Sequence, residues 1–201
     1  MFTVLTATGE LAGANLYIDA ILHNVTSVLK NDGEEFLSIP DHSIGSVHLH
    51  QGQISGLDTL RRKGQARMHS DSDGATIEAK LALEQVRLCY DYSAKMLFTR
   101  NRGDVSVCIG EIETFIRVHQ SADLTKSPVL QDFVIHQLRG LRANLTGLGP
   151  LSWVINRLQR TLLHTFRMHV QDFLQEKVHS LIQEELNKFS LGDITMLDIL
   201  A

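Results

Sequence analysis

The sequence predicts an α+β fold in which a strongly curved antiparallel sheet wraps a long C-terminal helix and a shorter N-terminal helix. Three observations carry this. Apolar residues recur at helical spacing from 151 to 189 with no proline or glycine between them. Two long segments, 77–98 and 105–118, alternate apolar and polar side chains as strands do. Each of those segments changes phase once, which is what a bulged and bent strand must do to keep one face inward.

The first element is a helix over 15–29, where Leu16, Ile18, Ile21, Leu22, Val25, Val28 and Leu29 share a face and Asn31, Asp32 and Gly33 supply stop chemistry. Pro40 and Asp41 mark a turn. Val47 and Leu49 then alternate with His48 and His50, a half-buried strand. Glycines at 52, 56 and 64, and the run Asp71-Ser72-Asp73-Gly74, divide the following chain into a meander of short strands.

In the next segment Ile77, Ala79, Leu81 and Leu83 occupy odd positions, whereas Val86, Leu88, Tyr90, Tyr92, Ala94, Met96 and Phe98 occupy even ones. The slip falls at Glu84 and Gln85. Its partner does the same: Val105, Val107 and Ile109 are odd, Ile112, Ile116 and Val118 even, with Gly110 at the slip. Slips in neighbouring strands predict a strongly curved sheet. Asn101, Arg102 and Gly103 read as the hairpin tip joining the two strands. In these phases Cys89 and Cys108 point outward from roughly facing positions, so a cross-strand disulfide is expected if register brings their Cα atoms within about 7 Å; two free thiols are the alternative.

A strand over 129–138 precedes a loop containing Asn144, Thr146, Gly147 and Gly149, and Pro150 suits a first helical position. A helix over 151–189 would be about 58 Å long and needs a partner along its whole length. Its apolar face is broad, with adjacent pairs Phe173-Leu174 and Leu181-Ile182, which favours burial in a concave sheet over a narrow coiled-coil seam. The chain therefore divides into an N-terminal extension (1–14), one domain (15–189) and a C-terminal tail (190–201).

Composition excludes several function classes. A net charge of −4 over 201 residues argues against nucleic acid as a partner, and the basic run Arg61-Arg62-Lys63 lies among acids, so it reads as a solvated surface. No stretch has the 18 to 20 continuous apolar residues of a transmembrane segment. Residues 1–10 lack the basic start and apolar run of a secretory signal peptide, so a signal is not expected within this chain. Two cysteines are too few for a disulfide scaffold or a structural zinc site.

Four segments together resemble the house dust mite group 7 allergen family, arthropod relatives of bactericidal/permeability-increasing and juvenile-hormone-binding proteins. They are IPDHS at 39–43, GLDTLRRKGQARM at 56–68, YDYSAKM at 90–96 and LTGLGPLSWVINRL at 145–158. The similarity covers about residues 15–186. It implies an elongated super-roll in which the curved sheet wraps both helices, a secreted extracellular protein, and binding of an apolar small molecule or lipid without chemistry. It also brings IgE in as a partner where a member is allergenic. The cysteine pair lies outside this pattern.

The expected ligand-binding residues lie where helices and sheet meet: Leu88, Tyr90, Tyr92, Met96, Trp153, Leu158, Leu162, Phe166 and Phe173. Methionine adapts to varied shapes, and a tyrosine phenol can orient a polar end; plain core packing is the competing reading for each. A second functional reading has the surface recognise bacterial lipid, lipopeptide or a protein partner. No metal site is expected, since His48 and His50 share a strand face with no carboxylate cluster beside them. No catalytic residues and no cofactor are expected, because nucleophile-elbow, P-loop and dinucleotide motifs are lacking. Asn24 and Asn144 head glycosylation sequons, and Arg102-Gly103-Asp104 at a hairpin tip would suit an integrin-type receptor.

Overall fold

The computed structural model describes residues 7–31, 36–96, 99–147 and 155–188. Helix α1 (Ala7–Asn31) is followed by β1 (Leu37–Ile39), β2 (His42–Ile44), β3 (Val47–Ser55), a single 3-10 turn (Leu57–Thr59), β4 (Arg61–Arg62) and β5 (Arg67–Ser70). Then come β6 (Gly74–Met96), β7 (Thr99–Ser121), β8 (Val129–Arg139), β9 (Arg142–Leu145) and helix α2 (Ile155–Leu186). All nine strands among the described residues form one antiparallel sheet with central order β1-β3-β6-β7-β8. The fold is the expected α+β arrangement of a curved sheet around two helices.

Helix α1 buries Ala14, Tyr17, Ile18, Ile21, Leu22, Val25 and Leu29, whereas Leu16, counted on that face by sequence, is 49% exposed. Helix α2 buries Val170, Leu174, Val178, Ile182 and Leu186, one residue per turn, with Phe173 and Leu181 half-buried beside them. Both helices and the inner sheet face share one apolar core.

Strands β6 and β7 have 23 residues each, about 75 Å if straight, and they do not run straight. Inward residues are Ile77, Ala79, Leu81 and Leu83, then Val86, Leu88, Tyr90, Tyr92 and Ala94; on β7 they are Val105, Val107 and Ile109, then Ile112, Thr114, Ile116 and Val118. Register is the same on both sides of the slip, with Leu83 opposite Ile112 and Val86 opposite Ile109. Both strands thus slip at one level. The strained backbone is at Gln85 (φ 55°), not at Gly110.

This level is a crease across the whole sheet. Strand β3 ends at Ser55, beside Gly56 (φ 84°), whose added Cβ would lie 2.7 Å from the Gln85 carbonyl oxygen. Gly110 packs against Gly140 (φ 66°), which separates β8 from β9. On one side of the crease β6 pairs with β3 and β7 with β9; on the other β6 pairs with β4 and β5, and β7 with β8. Where β3 stops, the Thr59 side chain takes over its role: Oγ1 accepts from the Glu84 N–H at 2.8 Å and lies 2.9 Å from the Glu84 carbonyl oxygen and 2.6 Å from that of Gly56.

The structure corrects two sequence-based expectations here. Asn101, Arg102 and Gly103 are not the hairpin tip; they lie within β7, paired with Ala94, Ser93 and Tyr92, and the chain reverses between Met96 and Thr99. Asn144 lies in strand β9 opposite Ser106, not in a loop, because β7 ahead of Gly110 has no β8 partner and β9 fills that place. The edge strand β8 is partly sealed by α2. The Gln183 amide accepts from the Leu130 N–H at 2.8 Å and donates to the Pro128 carbonyl at 3.0 Å, standing in for a neighbouring strand.

Candidate functional site

Between α2, the β1–β2 corner and the inner face of β3 and β6 lies a cavity of about 180 Å³. Ile39, Ile54, Leu88, the Tyr90 ring, Val170 and Phe173 wall it, and Pro40, Asp41, His42, Asp172 and Glu176 complete its lining. Inward phase places Ile54, Leu88 and Tyr90 on one face of paired strands. Val170 and Phe173 face them from one turn of α2.

The β3 bulge shapes this site. Gln51 has φ 55°, its N–H donates to Asp41 Oδ1 at 3.1 Å, and the inward phase passes from Leu49 to Gly52. Gly52 leaves the slot that the Tyr90 ring fills: a Cβ there would stand 2.3 Å from Tyr90 Cε1, 2.6 Å from Ile39 Cγ1 and 2.8 Å from the Ile39 carbonyl oxygen. The Tyr90 hydroxyl donates to the Pro40 carbonyl at 3.2 Å, tying the β1–β2 corner to β6. Burial, reinforced by the Asp41 charge, pushes the Tyr90 phenol up to about 12.

Of the residues expected from sequence, Leu88, Tyr90 and Phe173 line the cavity. Tyr92 lies on the same sheet face but outside the cavity, and its hydroxyl donates to the Thr146 carbonyl at 2.6 Å. Trp153 lies outside the described residues, as do the side chains of Met96, Leu158, Leu162 and Phe166. Sequence reasoning missed Ile39, Ile54 and Val170, and all of the charged residues at the mouth. The IPDHS segment held part of the signal, since Ile39 to His42 all line the cavity. Asp172 and Glu176, four apart on α2, flank Phe173 and held the rest.

A larger, more open groove of about 630 Å³ lies along the crease, between Leu29, Leu37 and Leu57 on one side and Gln85, Arg87 and Cys108 on the other. Ile54 lines both spaces. The groove mixes Lys30, Asp58 and Arg87 with apolar walls. The cavity under α2 is therefore the better-formed apolar site.

The expected disulfide is not formed. Cys89 pairs with Ser106 and Cys108 with Arg87, so the thiols are diagonal neighbours and both are free. Diagonal Cα atoms stand about 7–8 Å apart, beyond ordinary disulfide reach. The reversal between Met96 and Thr99 sets a register two residues away from the one that would place the cysteines opposite each other. Arg102-Gly103-Asp104 is extended strand, which removes the turn geometry behind the receptor reading.

Asn144 is exposed and Asn24 half-buried on α1. His48 Nδ1 is 2.8 Å from Ser43 Oγ, and among the described residues no His, Cys, Asp and Glu group is arranged to hold a metal. The basic run is neutralised residue by residue. Arg61 pairs with Glu84, Arg62 with Asp19 at 2.8 Å, and Lys63 with Glu111 at 2.5 Å and Glu113 at 2.9 Å. Those partners hold the Lys63 ammonium above, and the two glutamates below, their ordinary ranges.

Fold and site together define a class: a curved-sheet roll around two helices, with a small apolar chamber under the long one. Residues 13–186 match the Group 7 allergen family, and the chain belongs to it. Mite allergen Lep d 7 of Lepidoglyphus destructor is 22% identical over 191 residues, spanning 89% of this chain and 87% of that protein. Among solved structures, lipopolysaccharide binding protein superposes with a TM-score of 0.52 at 12% identity, covering 94% of this chain, which spans 40% of that protein's length. Takeout 1 of Epiphyas postvittana gives a TM-score of 0.43 at 13% identity, covering 85% of this chain and 87% of that one. No helix among the described residues is long and apolar enough to cross a membrane.

Proposed function

We propose that this chain is a secreted, non-enzymatic binding protein that holds a short apolar ligand in the chamber between α2, the β1–β2 corner and β6. The observation that carries the reading is the chamber's construction: six apolar side chains from four elements enclose about 180 Å³. Engineered apolar cavities of about 150 Å³ take up benzene, whereas drug-sized ligands occupy about 300–1,000 Å³. The fitting ligand is therefore a single ring or a chain of about six to eight carbons, or the end of a longer one.

At about 0.8 kcal/mol per buried methylene, seven methylenes supply about 5.6 kcal/mol, which sets a ceiling near ~0.1 mM on the affinity of a headless chain. The test is a titration with 1-octanol followed by amide chemical shifts, repeated on Leu88→Phe, which fills the chamber without adding a polar atom. Saturable shifts at Leu88, Tyr90 and Phe173, lost in a folded Leu88→Phe protein, are expected. Absence of saturation up to the solubility limit, or unchanged binding in the filled variant, refutes the proposal.

A further inference from the structure

We propose that the mouth of this chamber selects its ligand by charge, accepting amine-headed or uncharged amphiphiles and rejecting carboxylate- and phosphate-headed ones. The inference rests on the binding reading above and specifies what it takes. Asp41, Asp172 and Glu176 line the chamber, and no lysine or arginine does. Asp172 and Glu176 are one turn apart on the exposed side of α2, so their carboxylates stand together on one rim. Asp41 belongs to the β1–β2 corner, and its Oδ1 is fixed by the Gln51 N–H.

None of the three carboxylates enters an ion pair among the described residues, although exposed acids elsewhere on the sheet do. Three carboxylates with no ion-pair partner among the described residues, beside His42 as the one basic side chain in the lining, thus border an opening into an apolar space, and low-dielectric walls focus their net negative field on whatever head group sits there. An ammonium head whose tail fills the chamber meets attraction from both rims. A carboxylate in the same pose is repelled by both.

The experiment compares octylammonium, 1-octanol and octanoate at pH 7, matched in tail and differing in head, by calorimetric or chemical-shift titration of the full chain. Low ionic strength should show about tenfold tighter binding of octylammonium than of 1-octanol and about tenfold weaker binding of octanoate, both contracting severalfold at 0.5 M salt. The double variant Asp172→Asn, Glu176→Gln changes only exposed helix positions and should bring the three affinities together. A control, Asp73→Asn with Glu184→Gln, removes the same charge at exposed positions outside the lining and should leave their order intact.

Equal binding of octanoate and octylammonium, or an unchanged ratio in the mouth variant, overturns the inference while the octanol result sustains the chamber. A control that shifts the ratio as far as the mouth variant also overturns it, because net charge then explains the preference. If none of the three ligands binds, this inference and the binding reading fall together.

Discussion

Replacing Gly52 by alanine tests the packing that forms the chamber. The added methyl would lie 2.3 Å from the Tyr90 ring edge and 2.8 Å from the Ile39 carbonyl oxygen. Contacts this short require movement. The Ile39 backbone is held in the β1–β3 ladder opposite Gly52 itself, so the Tyr90 ring yields furthest, while the Ile39 side chain and its strand must also give by a few tenths of an ångström. Overpacking of one methyl costs about 1–3 kcal/mol. Displacing the ring also strains or breaks the hydrogen bond from its hydroxyl to Pro40, worth about 1 kcal/mol. Gly52→Ala should therefore lose about 2–4 kcal/mol in urea unfolding followed by circular dichroism, with an unchanged m-value. The displaced ring moves into the chamber and should abolish 1-octanol uptake. A loss below about 0.5 kcal/mol, or undiminished uptake, would show that Tyr90 does not occupy the Gly52 slot.

Four further predictions follow from the crease, the edge and the buried phenol. Thr59→Val strands the Glu84 N–H and should cost about 1–3 kcal/mol in the same unfolding assay; an effect within experimental scatter would mean that β6 needs no partner there. Gln85→Gly should stabilise by up to about 1.5 kcal/mol, since it removes an αL cost of about 1–2 kcal/mol and adds about 0.5–1 kcal/mol of chain entropy loss, while Gln85→Val should destabilise. Gln183→Ala should cost about 1–2 kcal/mol and accelerate amide exchange at Leu130; unchanged exchange would remove α2 as the seal of β8. Finally, an unfolded tyrosine ionises near pH 10, whereas Tyr90 is pushed up to about 12. The folded state favours the protonated phenol, so this contribution is complete below about pH 10 and declines as pH rises toward 12, by at most about 1.4 kcal/mol per pH unit. Tyr90→Phe should lack this decline, as read by unfolding free energy against pH.

The alternation of apolar residues made the sheet legible because one face is closed by helices. Any residue out of phase there must correspond to a change in the backbone. That logic located the slip at Gln85 and Gly110 from sequence. It did not say which strand carries the strained conformation, since a glycine is a tolerant residue whether or not tolerance is required. The hairpin tip was misplaced because Asn101-Arg102-Gly103 has turn composition, while the reversal between Met96 and Thr99 contains no Gly, Asn, Asp or Pro. Local chemistry was overruled there by a register set along 22 facing pairs. Half of the chamber was legible: Leu88, Tyr90 and Phe173 lie on faces that periodicity defines. Its mouth was not, because Asp41 and Asp172 are brought together by the closure of α2 over the β1–β2 corner, and no local pattern encodes that distance.

The crease constrains how this chain can change length over evolution. Because β6 and β7 slip at the same level, one residue lost at Gln85 alone would turn the inward set of half a strand outward, and so would one lost at Gly110 alone. Removing both together would restore register and leave a flat hairpin, with neither half-sheet turned toward its own stretch of helix. Single-residue gaps at this level should therefore be rare among relatives. Tolerated insertions should collect instead between Met96 and Thr99, where residues added to the reversal leave every established pair in place.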